Sequence, residues 1–461
     1  MFDTLQWECK VPLLGGAWKF QQHIAQYEQH YQIFDKLKAD TFFTMIGFTP
    51  TLVTRDADFL RVVVNSKNVV LPNILRHVGR KFVGEGLMLS EGKQWKTQRK
   101  LLGSTFHYAN LHNKIPILGQ ESDKVITNIE GELHKGTIDI EKYAIEYVTR
   151  TFCEILIGTS FDSIKERMSL YTDESLMHGS IAFERMLRPL EYIDRVYKLT
   201  KNFKIEQKIV EKRENLICDI IIQRMFSIGT AVDNTIDDKK DILIDNLLKL
   251  KRKGVFYNNQ LVIDDIHSMF LGNSHTTPTV ISFVLLLLAK NPDIQDKAFK
   301  EVEAILSEKS NDEDMLVSGL SRMVYLHAVI EEAMRLYTPV PYLMREVADT
   351  IEYNGRKLLK GTMIAVLTSA LHRNPRYYVN PNMFMPERFL GNDNTTLNSY
   401  MPFGGGLRNC IGTKYAMMSM KTFLAKFLMK FTIESVNHHI DLKTEIALTS
   451  TNGFKVCLRQ R

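Results

Sequence analysis

Cys410 lies in Phe403-Gly404-Gly405-Gly406-Leu407-Arg408-Asn409-Cys410-Ile411-Gly412. The glycines on both sides permit positive φ and let the backbone approach a flat ligand closely. A helix-forming run, Thr413–Phe427, begins just after the sulfur. Its N-terminal amides and dipole would favour a negative charge there. Arg408 can donate charge-assisted hydrogen bonds to a carboxylate. These residue types suit a thiolate ligand to haem iron with Arg408 on a haem propionate. A thiolate in that place pushes electron density toward O–O cleavage. A cysteine elsewhere is usually a small buried apolar residue, but Phe-x-x-Gly-x-Arg-x-Cys-x-Gly fixes five positions in ten and favours the ligand.

Other constellations are less specific alone. Trp95 and Arg99 share one helical face (i, i+4), which reads equally as a half-buried tryptophan beside a surface arginine. Glu332 and Arg335 are an i, i+3 pair, ordinarily a solvated one worth a few tenths of a kcal/mol. Pro386-Glu387-Arg388-Phe389 follows, and then Cys410. Gly272-Asn273-Ser274-His275-Thr276-Thr277-Pro278 places a hydroxyl, Thr276, beside a titratable His275, and Pro278 removes a backbone donor in mid-helix and should kink or loosen the helix. His275 either relays protons or merely packs.

The segments that must position these groups read as mostly helical. Helices are expected over Ile117–Glu130, Ile205–Phe226, Asp264–Ala289, Ile294–Leu306 and Leu326–Leu336, with Pro116 at the head of the first. Thr41–Ile46 and Thr51–Thr54 read as a hairpin, as do Ile351–Tyr353 and Lys357–Leu358 around Asn354-Gly355. Gly229–Asp241 and Ser307–Asp314 read as polar loops. The fold class is mainly α with small β-sheets, β-rich over 41–54 and 351–370, as one domain over 1–461.

The chain has 461 residues, 44% hydrophobic and 24% charged, an ordinary globular composition. A net charge of +6 is too weak to argue for nucleic acid. Five scattered cysteines suggest neither a disulfide framework nor a zinc site, and point to a reducing compartment. No apolar run reaches membrane-spanning length; the best, Val280–Ala289, reads as a buried helix. Gly84-Glu85-Gly86 and Gly404–Gly406 do not complete a dinucleotide motif.

In order and content, the Glu332–Arg335 helix, the Pro386–Phe389 segment and the Cys410 loop resemble the cytochrome P450 family. Gly84 through Gly92, Arg99-Lys100-Leu101-Leu102, Thr105-Phe106-His107 and Cys410-Ile411-Gly412 are similar to its fourth clan, which includes fatty-acid ω-hydroxylases and arthropod enzymes. The resemblance implies haem b (iron protoporphyrin IX) on Cys410, with Phe403 and Gly404 against it. It implies Trp95, Arg99, Arg345 and Arg408 at the propionates, and a buried Glu332–Arg335–Arg388 network locking the thiolate loop. Thr276 and His275 become the catalytic candidates on a long oxygen-activating helix over 264–289. The family's usual acid is replaced by His275, and Gly272 stands where some clan members carry a haem-esterified glutamate.

Monooxygenation of a fatty acid, hydrocarbon or xenobiotic is the implied activity. Its partners would be an NADPH-cytochrome P450 reductase, cytochrome b5 as a further donor, O2 and a membrane surface. Lys93, Lys96, Lys100, Lys414 and Lys421 would face the reductase. A loop around Asn73–Arg80 and the helices flanking Leu199–Phe203 would line access and touch the membrane. The resemblance begins near Val11–Gly16, after the place of the family's anchor and hinge, which implies a form without its anchor, peripheral on the cytoplasmic face of the endoplasmic reticulum. His275 and Pro278 leave two other functions open: a haem-thiolate isomerase or dehydratase of lipid peroxides, and a catalytically weak haem-binding protein.

Overall fold

A computed structural model describes Tyr27 and residues 29–46, 49–229, 242–252, 258–308, 312–353, 355–391 and 398–461. Most of the polar stretch Gly229–Asp241 lies outside the described residues. The β-rich region begins with a hairpin, β1 (Thr41–Ile46) and β2 (Thr49–Thr54), in register from Thr41 opposite Thr54. β2 starts two residues earlier than its apolar run suggested, because Thr49 and Pro50 still pair with Ile46 and Met45. With β3 (Val69–Val70), β4 (Leu343–Val347) and β5 (Met363–Val366) it forms one sheet of order β1-β2-β5-β4-β3. Only β2 and β5 run parallel. Successive residues of β2 serve opposite faces. Leu52 packs with Leu60 and Ile364, whereas Val53 packs with Phe34 and Phe183. The Ile351–Tyr353 and Arg356–Leu358 hairpin forms as expected, with Gly355 at φ +72° in its turn.

The larger core is helical. The elements that matter for the site are α1 (Asn73–Val83), α2 (Gly92–Gly103), α3 (Ile115–Glu130), α4 (Phe161–Leu187), α5 (Lys201–Gly229), α6 (Asn259–Ser274), α7 (Thr276–Lys290), α8 (Val324–Leu336) and α9 (Thr413–Lys430). α9 packs on α3 and α8, so the segment that follows Cys410 is fixed in the core. Residues 73–80, expected as a loop, belong to α1. Val78 and Phe82 form a buried i, i+4 pair that the run of arginines masked. The stretch expected as a loop at Ser307–Asp314 ends in a helix, Asp312–Gly319.

The helix expected over Asp264–Ala289 is two helices, α6 and α7, that meet at His275 (φ −102°, ψ −36°). Pro278 explains the place of the break. Its ring would collide with the Ser274 carbonyl and it has no N–H to offer that carbonyl. Starting a new helix at Thr276 puts the proline in a first turn, where a missing donor costs little. Asn259–Lys290 taken together is long and apolar enough to cross a membrane, contrary to the reading of its apolar runs. It is a core element instead, with 78% of its apolar window buried inside the protein.

Candidate active site

Cys410 sits at the end of a loop held from three sides. Its own N–H donates to Phe403 O at 2.9 Å, and Gly404 N–H donates to Met401 O at 3.1 Å. Gly404 and Gly406 have φ of +69° and +66°. A Cβ on Gly406 would lie 2.2 Å from Val64 O, so the loop rests directly on the helix Ala57–Asn65. From α2, Arg99 donates to Asn409 O (2.8 Å) and to Asn409 Oδ1 (2.7 Å), gripping the residue before the sulfur. Burial raises the Cys410 thiol above its ordinary range, against the lowering effects of the Gly412 N–H, Thr413 and Arg99. The free thiol is therefore protonated at neutral pH. A bound metal cation would deprotonate it.

The segment leading into this loop is locked by a buried ion cluster. Arg335 Nε donates to Glu332 Oε2 (2.6 Å) and Nη2 to Oε1 (2.8 Å), both side chains being fully buried. Arg388 Nε and the Met385 N–H also donate to Glu332 Oε1, at 3.2 and 2.9 Å. Arg335 Nη1 donates to the carbonyls of His372 and Pro381. Met401 N–H donates to His372 Nε2 at 3.0 Å. Burial, then Arg335 and Arg373, push the His372 imidazole down to about 3, so it is neutral and its Nε2 can accept.

Cys410 opens on a cavity of about 470 Å³. All nine sequence-predicted site residues line it: Trp95 and Arg99 from α2, His275 and Thr276 at the α6–α7 break, Arg345 from β4, and Phe403, Gly404, Arg408 and Cys410 from the loop. Arg408 lies over the Trp95 ring, 4.8 Å from its centroid, and donates to Ser90 O. Arg345 Nη1 donates to Met344 O at 2.9 Å. Burial lowers the pKa of Arg345 to about 10, with Arg408 adding to it. Burial also lowers Arg408 and Arg99. Glu91, the carboxylate that acts on Arg345 and Arg408, is itself paired with Arg76 at 3.0 Å. Three guanidiniums thus converge on a chamber whose other walls are largely apolar, among them Phe82, Leu271, Val280 and Val340. Cβ atoms built on Gly272 and Gly404 would meet nothing within 4 Å. A sulfur, open space at two glycines and unneutralised donors at one edge fit a flat, apolar, dianionic macrocycle.

At the break, Thr276 Oγ1 donates to Gly272 O at 2.7 Å, which leaves its lone pairs to accept. His275 is held down to about 4 by burial and is neutral at physiological pH. Its Nε2 is buried without a hydrogen-bond partner among the described residues. Of the lysines expected on the surface, Lys93, Lys96, Lys100 and Lys414 are exposed. Lys421 is not: it is buried, donates to Leu320 O, and is lowered by burial to about 8. α9 is apolar on most sides, and that density of methionines and phenylalanines was the signal against exposure. Asn409 and Phe82 escaped the sequence reading, since their partners lie far away in the chain.

The cytochrome P450 family profile matches residues 8–458. Among curated proteins the chain is 26% identical to Cytochrome P450 4V2 of Homo sapiens, over 98% of this chain and 88% of that protein. It is 27% identical to Cytochrome P450 4c21 of Blattella germanica, over 88% and 82%. It is 26% identical to Cytochrome P450 4e5, mitochondrial, of Drosophila mettleri, over 97% and 88%.

Proposed function

The chain belongs to the cytochrome P450 family and is a haem-thiolate monooxygenase that uses O2, a redox partner and an organic substrate; from that premise we propose that Cys410 is the ligand of iron in haem b and that a lipophile is oxygenated in the adjoining cavity. The observation that carries this reading is the convergence of Cys410 with Trp95, Arg99, Arg345 and Arg408 on one chamber. Bound there, the haem supplies activation of O2 and insertion of one oxygen atom into a C–H bond. The protein's part is to bind and orient. Arg345 and Arg408 would neutralise the propionates together with Trp95, while Arg99 holds Asn409 and so the loop. Phe403 and Gly404, which line the same cavity, would lie against the macrocycle. Thr276, which lines the same cavity, offers acceptor lone pairs. His275, being neutral, can relay a proton only by accepting at one nitrogen as it donates at the other.

The apolar lining supports a fatty acid, hydrocarbon or xenobiotic as substrate. Electrons would come from an NADPH-cytochrome P450 reductase, with cytochrome b5 as a further donor, docking on Lys93, Lys96, Lys100 and Lys414. Leu190, Ile193 and Leu199, exposed in the connection between α4 and α5, support contact with a membrane surface, here assigned to the cytoplasmic face of the endoplasmic reticulum. The test is a CO-difference spectrum followed by NADPH consumption with reductase and a lipophile panel. The thiolate-haem band should be present and vanish in Cys410→Ala, and product should require NADPH. Turnover of a lipid hydroperoxide without NADPH, and none with it, would overturn the substrate and partner assignment. In the same assay His275→Asp should raise product per NADPH if proton relay limits the reaction.

A further inference from the structure

Asp264, Asp265, His267 and Ser268 are buried polar residues on α6, upstream of the break. The oxygen chemistry does not use them, and all four point at one target: the end of α1 and the Gly84–Leu87 connection. Glu85 N–H donates to Asp264 Oδ2 at 2.8 Å and Leu87 N–H to Asp265 Oδ1 at 2.7 Å. Gly84 and Gly86 press so closely on α6 that a Cβ would come 2.4 Å from the Asp264 carboxyl carbon or 2.5 Å from Ser268 Oγ.

The last four carbonyls of α1 are all occupied. Arg80 O accepts from Gly84 N–H. Lys81 O and Phe82 O each accept from Arg213 Nη1 of α5, both at 3.1 Å. Phe82 O also accepts from His267 Nε2 at 2.7 Å, and Val83 O from Ser268 Oγ at 3.4 Å. A cation at a helix C-terminus also complements the helix dipole. Since a carbonyl only accepts, His267 carries its proton on Nε2. Its Nδ1 then accepts from Tyr171 Oη at 2.5 Å, which needs a neutral ring. Burial, then Arg213, keep it neutral.

What this bonding holds in place is Phe82, whose side chain lines the cavity. Its ring stands edge-on to His178, 5.1 Å between centroids, and lies 3.5 Å from where a Cβ on Gly179 would be. We infer that Arg213 and His267 are positioning residues for substrate selection: by holding the Phe82 carbonyl from α5 and α6 they set the Phe82 ring as a fixed wall that limits the length of the chain the cavity accepts. The inference rests on the reading of this cavity as the substrate chamber.

The test uses holoenzyme and 1-alkylimidazoles of graded chain length, whose ring nitrogen binds haem iron while the chain fills the cavity. Dissociation constants are read from the haem absorption shift. Phe82→Ala should change the long-to-short ratio of constants about tenfold in favour of long chains. His267→Leu and Arg213→Met should move the ratio the same way with the CO-bound band intact. His267→Gln, which keeps a donor for Phe82 O, should restore it. A wild-type ratio in both His267→Leu and Arg213→Met overturns the inference, as does a failure of Phe82→Ala to move it. If the two clamp variants lose haem, hydrogen exchange on wild-type holoenzyme decides: a long-chain probe should slow the Glu85 and Leu87 amides more than a short one, and equal exchange overturns the inference. A wild-type protein that shifts with no alkylimidazole would instead overturn the reading of the cavity itself.

Discussion

At the scale of single residues, the site depends on charges that are absent as much as on those present. His372 works as an acceptor for Met401 N–H because its ring is neutral. Its folded pKa is lowered to about 3 from an ordinary imidazole value, so its contribution to stability is complete above pH ~6.5 and is lost as pH falls toward 3. His275, lowered to about 4, adds in the same direction. Acidification from pH 7 to 5 should cost about 2 kcal/mol through each ring, read as a drop in Tm. His372→Gln, which cannot gain a proton, should flatten the profile. That the nine candidate residues would share one cavity was legible because their types and order form a pattern. The contact of Arg99 with Asn409 was not, because 310 residues separate them. Nor does a sequence reveal that the pKa of the Cys410 thiol is raised when free, since that depends on the neighbours the fold packs around the loop while the residue itself stays exposed.

At the scale of elements, the Glu332–Arg335–Arg388 cluster joins α8 to the segment before the thiolate loop. Glu332→Gln should leave the buried Arg335 guanidinium without its counter-charge and cost about 3–5 kcal/mol, measured as a fall in the urea midpoint together with faster loss of haem. Pro278 gives the opposite expectation. In the middle of a helix a proline costs about 3 kcal/mol, but the break at His275 has already moved it into a first turn. Pro278→Ala should therefore change stability by less than about 1 kcal/mol; a gain near 3 in the denaturation midpoint would show that the proline strains the helix. Periodicity located the long helices well, because their apolar faces repeat. Pro278 announced a kink in this helix, but periodicity did not place it at His275, since α6 and α7 are buried on nearly all sides and offer no change of face to mark a boundary. Periodicity missed α1 because arginine and glycine interrupt a short apolar stripe.

At the scale of the whole molecule, exposed lysines of α2 and the exposed Lys414 of α9 put positive charge near the loop that carries Cys410. Raising ionic strength from about 0.01 to 0.5 M should weaken reductase-supported turnover several-fold through the half-saturating reductase concentration, with little effect when turnover is driven by added peroxide. Lys96→Glu with Lys100→Glu should reproduce the effect at low salt. The fold class was legible as mainly helical with small sheets. The sheet that joins residues 41–54 to residues 343–366 was not, because its parallel pairing of β2 with β5 is long-range. The same long-range logic governs how the loop finds its seat on Val64. During synthesis, the helix Ala57–Asn65, Arg99 and the Glu332 cluster all leave the ribosome before Cys410. The Cys410 loop is thus set into a scaffold made before it, and haem capture through this loop would report on the assembly of everything that precedes it.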